Sequence, residues 1–472
     1  MGFTTKALSF AGKTLKSAFK CKPKPKVKIG DTFVTFKKAK TMGNLKGKNS
    51  QYHAKPELSI PIAPATLQGS KPAVRIRKNA LTGKIDENVK EEIGNVSIRL
   101  ADRYEKALPK ARAEIESVFP GSDVSVRSKG ANSVYSKLEK KVKKGAVIRS
   151  DSAASKYIGD AIGGRITMKN LTQTDIVKTL KTIKIDNKAL TESEQQIVMK
   201  FFRQEPLTQA ELKIAQKYSR PVKIALAEKQ SAPVFNQVML SSLKHSIETG
   251  ATTIEKLEKS GIDSAIIKEL KANYDKITPM KIKELENYTG HQGIPYFTDR
   301  QIAQLRELQL ATGNHFNIVT CPDAKKFSGA LTDLEKSAIK DSGYTTAQFN
   351  TELSDGSLAE IQIRGKGPFG EVEHIAYDSR QEKNTLSHVF DEYKAAAKDL
   401  DEAGYKEYNK YLSECYDYYR DLELGIKATK PKLPEKFNPI LSEDNMIRLH
   451  NKDAAIQDEL KKGFVPHISI AA

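Results

Sequence analysis

Strand-like sequence occurs in patches far apart along the chain, and this spacing constrains the fold more than any other feature. Short strand and helix pieces alternate from Asp123 to Met168, and strand patterns return at Phe316–Cys321 and from Tyr344 to Arg364. Between them, from about Thr172 to Gly313, the sequence reads as mainly helical. This arrangement suggests one α/β unit carrying a large helical block, while periodicity alone also accommodates two unrelated domains. Upstream, Ile93, Val96, Leu100, Tyr104 and Leu108 give a helical stripe over about Asp86–Val118, closed by Pro120 and Gly121. Downstream, a long helical stretch runs from Asn384 to about Leu424, and a proline-broken tail follows.

Boundaries follow from these shifts. Residues 1–73 form a basic segment and a linker broken by Pro56, Pro61 and Pro64; 74–171 hold the first α/β part, 172–313 the helical block, 314–425 the second α/β part with its helices, and 426–472 the tail. Within 1–50, Asp31 is the sole carboxylate, and Phe3, Leu8, Leu15 and Phe19 lie among lysines on a rough helical stripe. Residues 1–20 read as a tail for polyanions, a membrane-surface helix or a targeting segment. The chain carries 78 Lys+Arg against 58 Asp+Glu, a formal charge of +20, which attracts nucleotides, tRNA or other nucleic acid, or anionic lipid. No apolar run approaches the roughly 18 residues that span a bilayer, and a cytoplasmic location is expected. Cys21, Cys321 and Cys415 stand too far apart in sequence to suggest a zinc site or a disulfide framework.

Three short stretches carry candidate chemistry. In "DVSVRSKGANSVYSKLEKK", strand alternation sends Arg127 and Lys129 opposite Val124 and Val126; Gly130 allows a turn, and Ser133 and Lys137 fall on the helix that begins there. Two cations, a hydroxyl and helix N-terminal amides suit a polyphosphate, although basic runs are commonly only solvated faces. In "SKYIGDAIGGRITM", Asp160 closes a short helix before a strand running from Arg165 to Met168, where an acid suits Mg²⁺ or simply makes a turn. In the third stretch "YTTAQFNTEL" and "LAEIQIR" flank Asp355-Gly356, a hairpin signal. Alternation there turns Ile361 and Ile363 inward and lines up Glu360, Gln362 and Arg364 on the other face. Just upstream, Tyr344 of "KDSGY" either stacks on a base or packs in the core. Elsewhere, Thr298 and Gln301 fit a capping box, His291 reads as an exposed loop residue, and the tyrosines of "YKEYNKYLSECYDYYRD" read as helix packing.

Taken in order, these motifs resemble the RelA/SpoT synthetase family. Arg127, Lys129, Ser133 and Lys137 are similar to its first motif, and Asp160, Gly163 and Arg165 to its metal-binding motif. Lys340, Gly343 and Tyr344 resemble its acceptor loop, Glu360–Arg364 its catalytic strand, and Glu371–Tyr377 the helix that follows. The resemblance implies an α+β fold, a nucleotidyltransferase-like mixed β-sheet flanked by helices, and Mg²⁺-dependent transfer of a diphosphate from ATP to the 3′-hydroxyl of GDP or GTP. It implies ATP phosphates on Arg127, Lys129, Ser133, Lys137 and Arg165, and Mg²⁺ on Asp160 and Glu360, with Glu360 also a candidate to activate the hydroxyl. Lys340 would meet acceptor phosphate, Tyr344 the acceptor base, and Gln362 and Arg364 would order the cleft. Gln348 stands where the family usually carries histidine, four positions after the tyrosine. Some small members act instead on the tRNA 3′ end or an adenosine nucleotide, and a nucleotide-binding module without catalysis is a third possibility. No His-Asp dipeptide occurs, so the hydrolase domain of the long members is not expected.

Overall fold

The computed structural model describes residues 76–463 apart from 80–82, 291, 321–339, 368 and 381–386. The basic segment, the proline linker, Cys21, Cys321 and His291 therefore lie outside the described residues. The protein is α+β: six strands form one mixed sheet flanked by helices. No helix among the described residues is long and apolar enough to cross a membrane.

The chain enters through α1 (Glu87–Val118), capped where Asp86 accepts from the Val89 amide at 2.9 Å. Then come β1 (Asp123–Ser128), α2 (Ala131–Lys143), α3 (Asp151–Ser155) and β2 (Ile162–Thr167). Helices α4 (Gln173–Thr182), α5 (Glu192–Phe202), α6 (Gln209–Glu248), α7 (Ile254–Leu257) and α8 (Ser264–Asn273) follow, with the two-residue strands β3 (Lys184–Ile185) and β4 (Lys188–Ala189) pairing between the first two. Next are β5 (Ile282–Tyr288), α9 (Asp299–Thr312), β6 (Asn317–Thr320), β7 (Thr346–Glu352) and β8 (Leu358–Arg364). The described chain ends with α10 (Phe369–Arg380), α11 (Asp391–Lys398), α12 (Glu402–Glu423) and α13 (Glu443–Gly463).

Sheet order is β1-β2-β8-β7-β5-β6. The β2–β8 and β5–β6 pairs are parallel and the other three antiparallel. One face is apolar: Val124, Ile162, Ile166, Ile361, Ile363, Phe349 and Leu285 share a core with the inner stripe of α1 and the second half of α6. Gly164 is required there, because a Cβ would stand 2.6 Å from Ile361 Cδ1 and 3.2 Å from Ile115 Cδ1. Two further cores lie outside the sheet, one among α10–α13 and one among α4, α5 and the first half of α6.

Several elements differ from the sequence reading. Strand β5 falls inside the stretch read as mainly helical and joins the main sheet between β7 and β6. Its pairing shifts register between Ile282 and Glu284, so the extra residue puts Ile282 and Leu285 three apart and imitates helical spacing. Strand β2 begins at Ile162 rather than Arg165, and Asp160 sits in the turn before it, five residues past the end of α3. The 384–424 helix is interrupted at Asp399–Asp401, and the tail holds α13, whose Met446 and Leu449 are buried. The Thr298/Gln301 capping box is present on α9, and Tyr408, Tyr411 and Tyr416 of α12 are buried.

A buried polar knot ties the sheet to the helices. Arg420 donates to Gln230 Oε1 at 2.5 Å and to Glu423 Oε2 at 3.1 Å, while the Tyr296 hydroxyl donates to Glu423 Oε2 at 2.8 Å. The Gly365 amide, just past β8, donates to that same tyrosine oxygen at 3.3 Å. A Cβ at Gly365 would fall 1.9 Å from the Glu423 carboxyl carbon, which is buried and held by these partners. Gly365→Ala should therefore lower the unfolding free energy by about 2 kcal/mol or more. Denaturant unfolding reads this directly, and an unchanged midpoint would show that Glu423 is not fixed against Gly365.

Candidate active site

Across the polar face of the sheet the register builds two rows. Arg127, Gly163, Glu360, Asn350 and Glu284 form one; Ser125, Arg165, Gln362, Gln348 and Glu286 form the next. The alternation that buries Ile361 and Ile363 puts these side chains on the opposite side.

The turn before β2 carries the centre of the site. Lys129, just past β1, fastens the two strands through its backbone amide, which donates to the Ala161 carbonyl at 2.9 Å. Its Nζ donates to Asp160 Oδ2 at 2.6 Å, and Lys137 Nζ, from α2, donates to Asp160 Oδ1 at 2.5 Å. Burial alone would raise the Asp160 pKa, but the charges and hydrogen bonds of the two lysines carry it below the ordinary carboxylate value. Burial, with the like charges of Lys137 and Arg127, lowers Lys129 despite Asp160. Lys129 and Lys137 thus both grip one carboxylate, and Arg127 lies near enough to act on Lys129. Arg127 lies across Gly163, where a Cβ would meet its Nε at 3.2 Å. Helix α2 starts at Gly130 with no side-chain cap, so its first turn, where Ser133 sits, offers an N-terminus suited to an anion.

Glu360 stands beside Gly163 in the parallel register. Burial raises its pKa, and the negative charges of Asp160 and Glu286 add to the rise; Lys137 and the Gln362 amide, at 3.4 Å, oppose it. The two acids singled out in the sequence therefore feel each other, although they come from segments far apart in the chain. Glu286 on β5 is a third acid that sequence reasoning missed. It accepts from the Gln348 amide, and Asn350 donates to Glu284 at 3.0 Å. The alternation of Glu284, Glu286 and Tyr288 after the bulge was the available signal.

An aromatic group closes the other end of this face. Tyr344 lies 5.6 Å from Tyr288 and 6.2 Å from Tyr416 between ring centroids. The buried Arg364 guanidinium lies 4.6 Å over the Tyr344 ring, and Lys340 Nζ lies 4.5 Å over Tyr288. Tyr344 is thus half-buried and already stacked on a cation. Arg165 lies on β2 in register with Gln362, so the residues matched to the first, metal-binding, acceptor-loop and catalytic-strand motifs fall on this face, in its loops or on α2, while Glu371–Tyr377 lie on α10.

Among the described residues no group of three or more His, Cys, Asp or Glu side chains is arranged to hold a metal ion. Two interacting carboxylates, Asp160 and Glu360, beside lysines are a donor set of the kind that suits Mg²⁺, which takes one or two carboxylates and completes its shell with other oxygens and water. Comparison with known proteins found no matching family model, no matching characterised protein and no matching solved structure.

Glu360 gives a pH prediction. Its folded pKa lies above its unfolded value, so its ionisation costs stability once pH passes the unfolded value near about 4.3 and fully so above the raised folded value. Glu360→Gln should melt at higher temperature than wild type at pH 7, and the gap should close below about pH 4. Asp160→Asn should do the reverse, since its depressed pKa contributes stability above the unfolded value that is lost as pH falls through the folded one. Melting curves from pH 3 to 8 check both, and identical profiles for the two variants would contradict the assignment.

Proposed function

We propose that the protein is a Mg²⁺-dependent pyrophosphoryl transferase of the RelA/SpoT type with a nucleotidyltransferase-like fold. It moves a diphosphate from ATP to a nucleotide 3′-hydroxyl, most readily making (p)ppGpp from GDP or GTP and releasing AMP. The observation that carries the reading is the Lys129–Asp160–Lys137 cluster beside Glu360, at the joint between β1, β2 and α2.

In this reading Arg127, Lys129 and Lys137 bind donor phosphates, and Ser133 and the α2 N-terminus add hydrogen bonds. Phosphate oxygens then replace Asp160 on the lysines and release its carboxylate. Asp160 and Glu360 would hold Mg²⁺, which supplies charge neutralisation on the transferring group. The acceptor 3′-oxygen attacks the ATP β-phosphorus, the bond to the α–β bridging oxygen breaks, and that oxygen leaves with AMP. The hydroxyl proton passes to Glu360, whose raised pKa makes it a better base than an ordinary carboxylate. Such a transfer depends mainly on positioning and charge. Tyr344, Arg364 and Lys340 lie where the acceptor would be held.

A second reading keeps the chemistry and changes the acceptor to the tRNA 3′ end or an adenosine nucleotide. The Gln348–Glu286 pair favours it, because an acid on the acceptor side works against a di- or triphosphate there. Incubation with ATP labelled in its β-phosphate plus GDP, GTP, AMP or tRNA separates these readings. Label in the guanosine nucleotides is expected, label confined to tRNA or AMP shifts the acceptor, and ATP binding without transfer to any of them removes the enzyme reading. Asp160→Asn and Glu360→Gln should each cut kcat by about 100-fold or more. Tyr344→Ala should instead raise the acceptor KM about tenfold.

A further inference from the structure

A concavity lies away from the candidate active site, between the helical block and α12, with a volume of about 710 Å³. The end of α5, the start of α6 and the segment 426–431 complete its wall. Phe201, Leu207, Leu212, Ile426 and Tyr418 supply its apolar surface. The proposed transfer chemistry uses none of these residues.

Its charges are unevenly committed. Lys223 is saturated, donating to both Asp421 oxygens at 2.7 and 2.9 Å and to Gln292 Oε1 at 3.1 Å. Lys430 is paired with Glu443, at 2.7 Å, and with Asp444. Of the lining cations this leaves Lys427, against Asp417, Glu205 and Glu414. Among the described residues Glu205 and Glu414 pair with Arg203 and Lys410 alone, at 3.8 and 3.9 Å. The Asp417 carboxyl accepts from the Gln292 backbone amide and belongs to no ion pair among the described residues. On a protein of charge +20, this pocket is locally acidic with apolar walls.

We infer that this cavity binds an organic cation, an amine or guanidinium group on a short aliphatic stem, with the charged end on Asp417 and the stem against Phe201, Leu207 and Leu212. A half-buried carboxyl whose neighbouring lysine, Lys223, is committed to Asp421 and Gln292 gains from a ligand that brings a cation of its own. Burial, with the like charges of Asp421 and Glu414, pushes Asp417 up to about 7 against the opposing Gln292 amide and Lys223 charge. The same chemistry belongs to a free amine and to a lysine or arginine side chain of a peptide.

Calorimetric titration of the full chain with agmatine, spermidine and an acetyl-Ala-Arg-Ala-amide peptide tests this, with butyramide and inorganic phosphate as neutral and anionic controls. At least one cation should bind with a dissociation constant below about 1 mM. Asp417→Asn, which keeps an oxygen to accept from the Gln292 amide and removes only the charge, should weaken it about tenfold or more. Lys427→Ala, removing like charge, should tighten it. Binding of the free amines alone would assign a small-molecule site, and binding of the peptide would assign a side-chain socket. The inference is overturned if no cation binds up to about 10 mM, if Asp417→Asn binds as wild type, or if phosphate binds there more tightly than the cations. Because Asp160→Asn leaves this cavity untouched, it should bind as wild type even when transfer is lost, which separates this outcome from that of the active-site proposal.

Discussion

The parallel pairing of β2 with β8 is the constraint on which the rest of the molecule depends. It places Gly163 beside Glu360 and Arg165 beside Gln362, joining residues from segments separated by α4 to β7. Closing so long a connection costs conformational entropy, and non-local pairs of this kind are gained late in folding. Contacts on both sides offset that cost. On the apolar side Ile361 and Ile115 close over Gly164, and at the C-terminal ends of the strands Arg420, Glu423 and Tyr296 bind the chain beyond β8. The Met168 amide, donating to the Arg364 carbonyl at 2.7 Å, carries the pairing past the named strands.

From that pairing follows the electrostatic character of the polar face. Asp160 and Glu360 have like charges and comparable burial, yet their environments drive their pKa values apart: two lysines hold one down, while burial and two acids push the other up. A pair of carboxylates separated in this way is the usual arrangement for dividing tasks between an ionised group and a proton acceptor. Asp160 satisfies the two lysines, so their positive charge is compensated and the cluster keeps its geometry. Under the proposed function, a donor phosphate would take over two lysines that are already held in place.

Much of this arrangement is legible in the sequence where local chemistry is decisive. Asp355-Gly356 locates the β7–β8 hairpin, and Gly356 takes a φ of +80° that favours glycine. Asp86 and the Thr298/Gln301 box fix two helix starts. What was not legible depends on long-range packing. Strand β5 was hidden because its bulge spaces Ile282 and Leu285 like a helix, and with it went Glu284, Glu286 and Tyr288. Helix α13 was hidden behind the prolines that precede it, and it gains its stability by seating Met446 and Leu449 in the core of α10–α12. Gly163 and Gly164 precede the strand start read at Arg165, yet both lie inside β2, one under Arg127 and the other under Ile361.

Anomalous diffraction from crystals grown with Mn²⁺ and a non-hydrolysable ATP analogue reads the central claim directly. One manganese peak should lie about 2.0–2.3 Å from a carboxylate oxygen of both Asp160 and Glu360, with analogue phosphates on Lys129 and Lys137. A peak remote from both acids, or an analogue bound elsewhere while the lysines still grip Asp160, would contradict it.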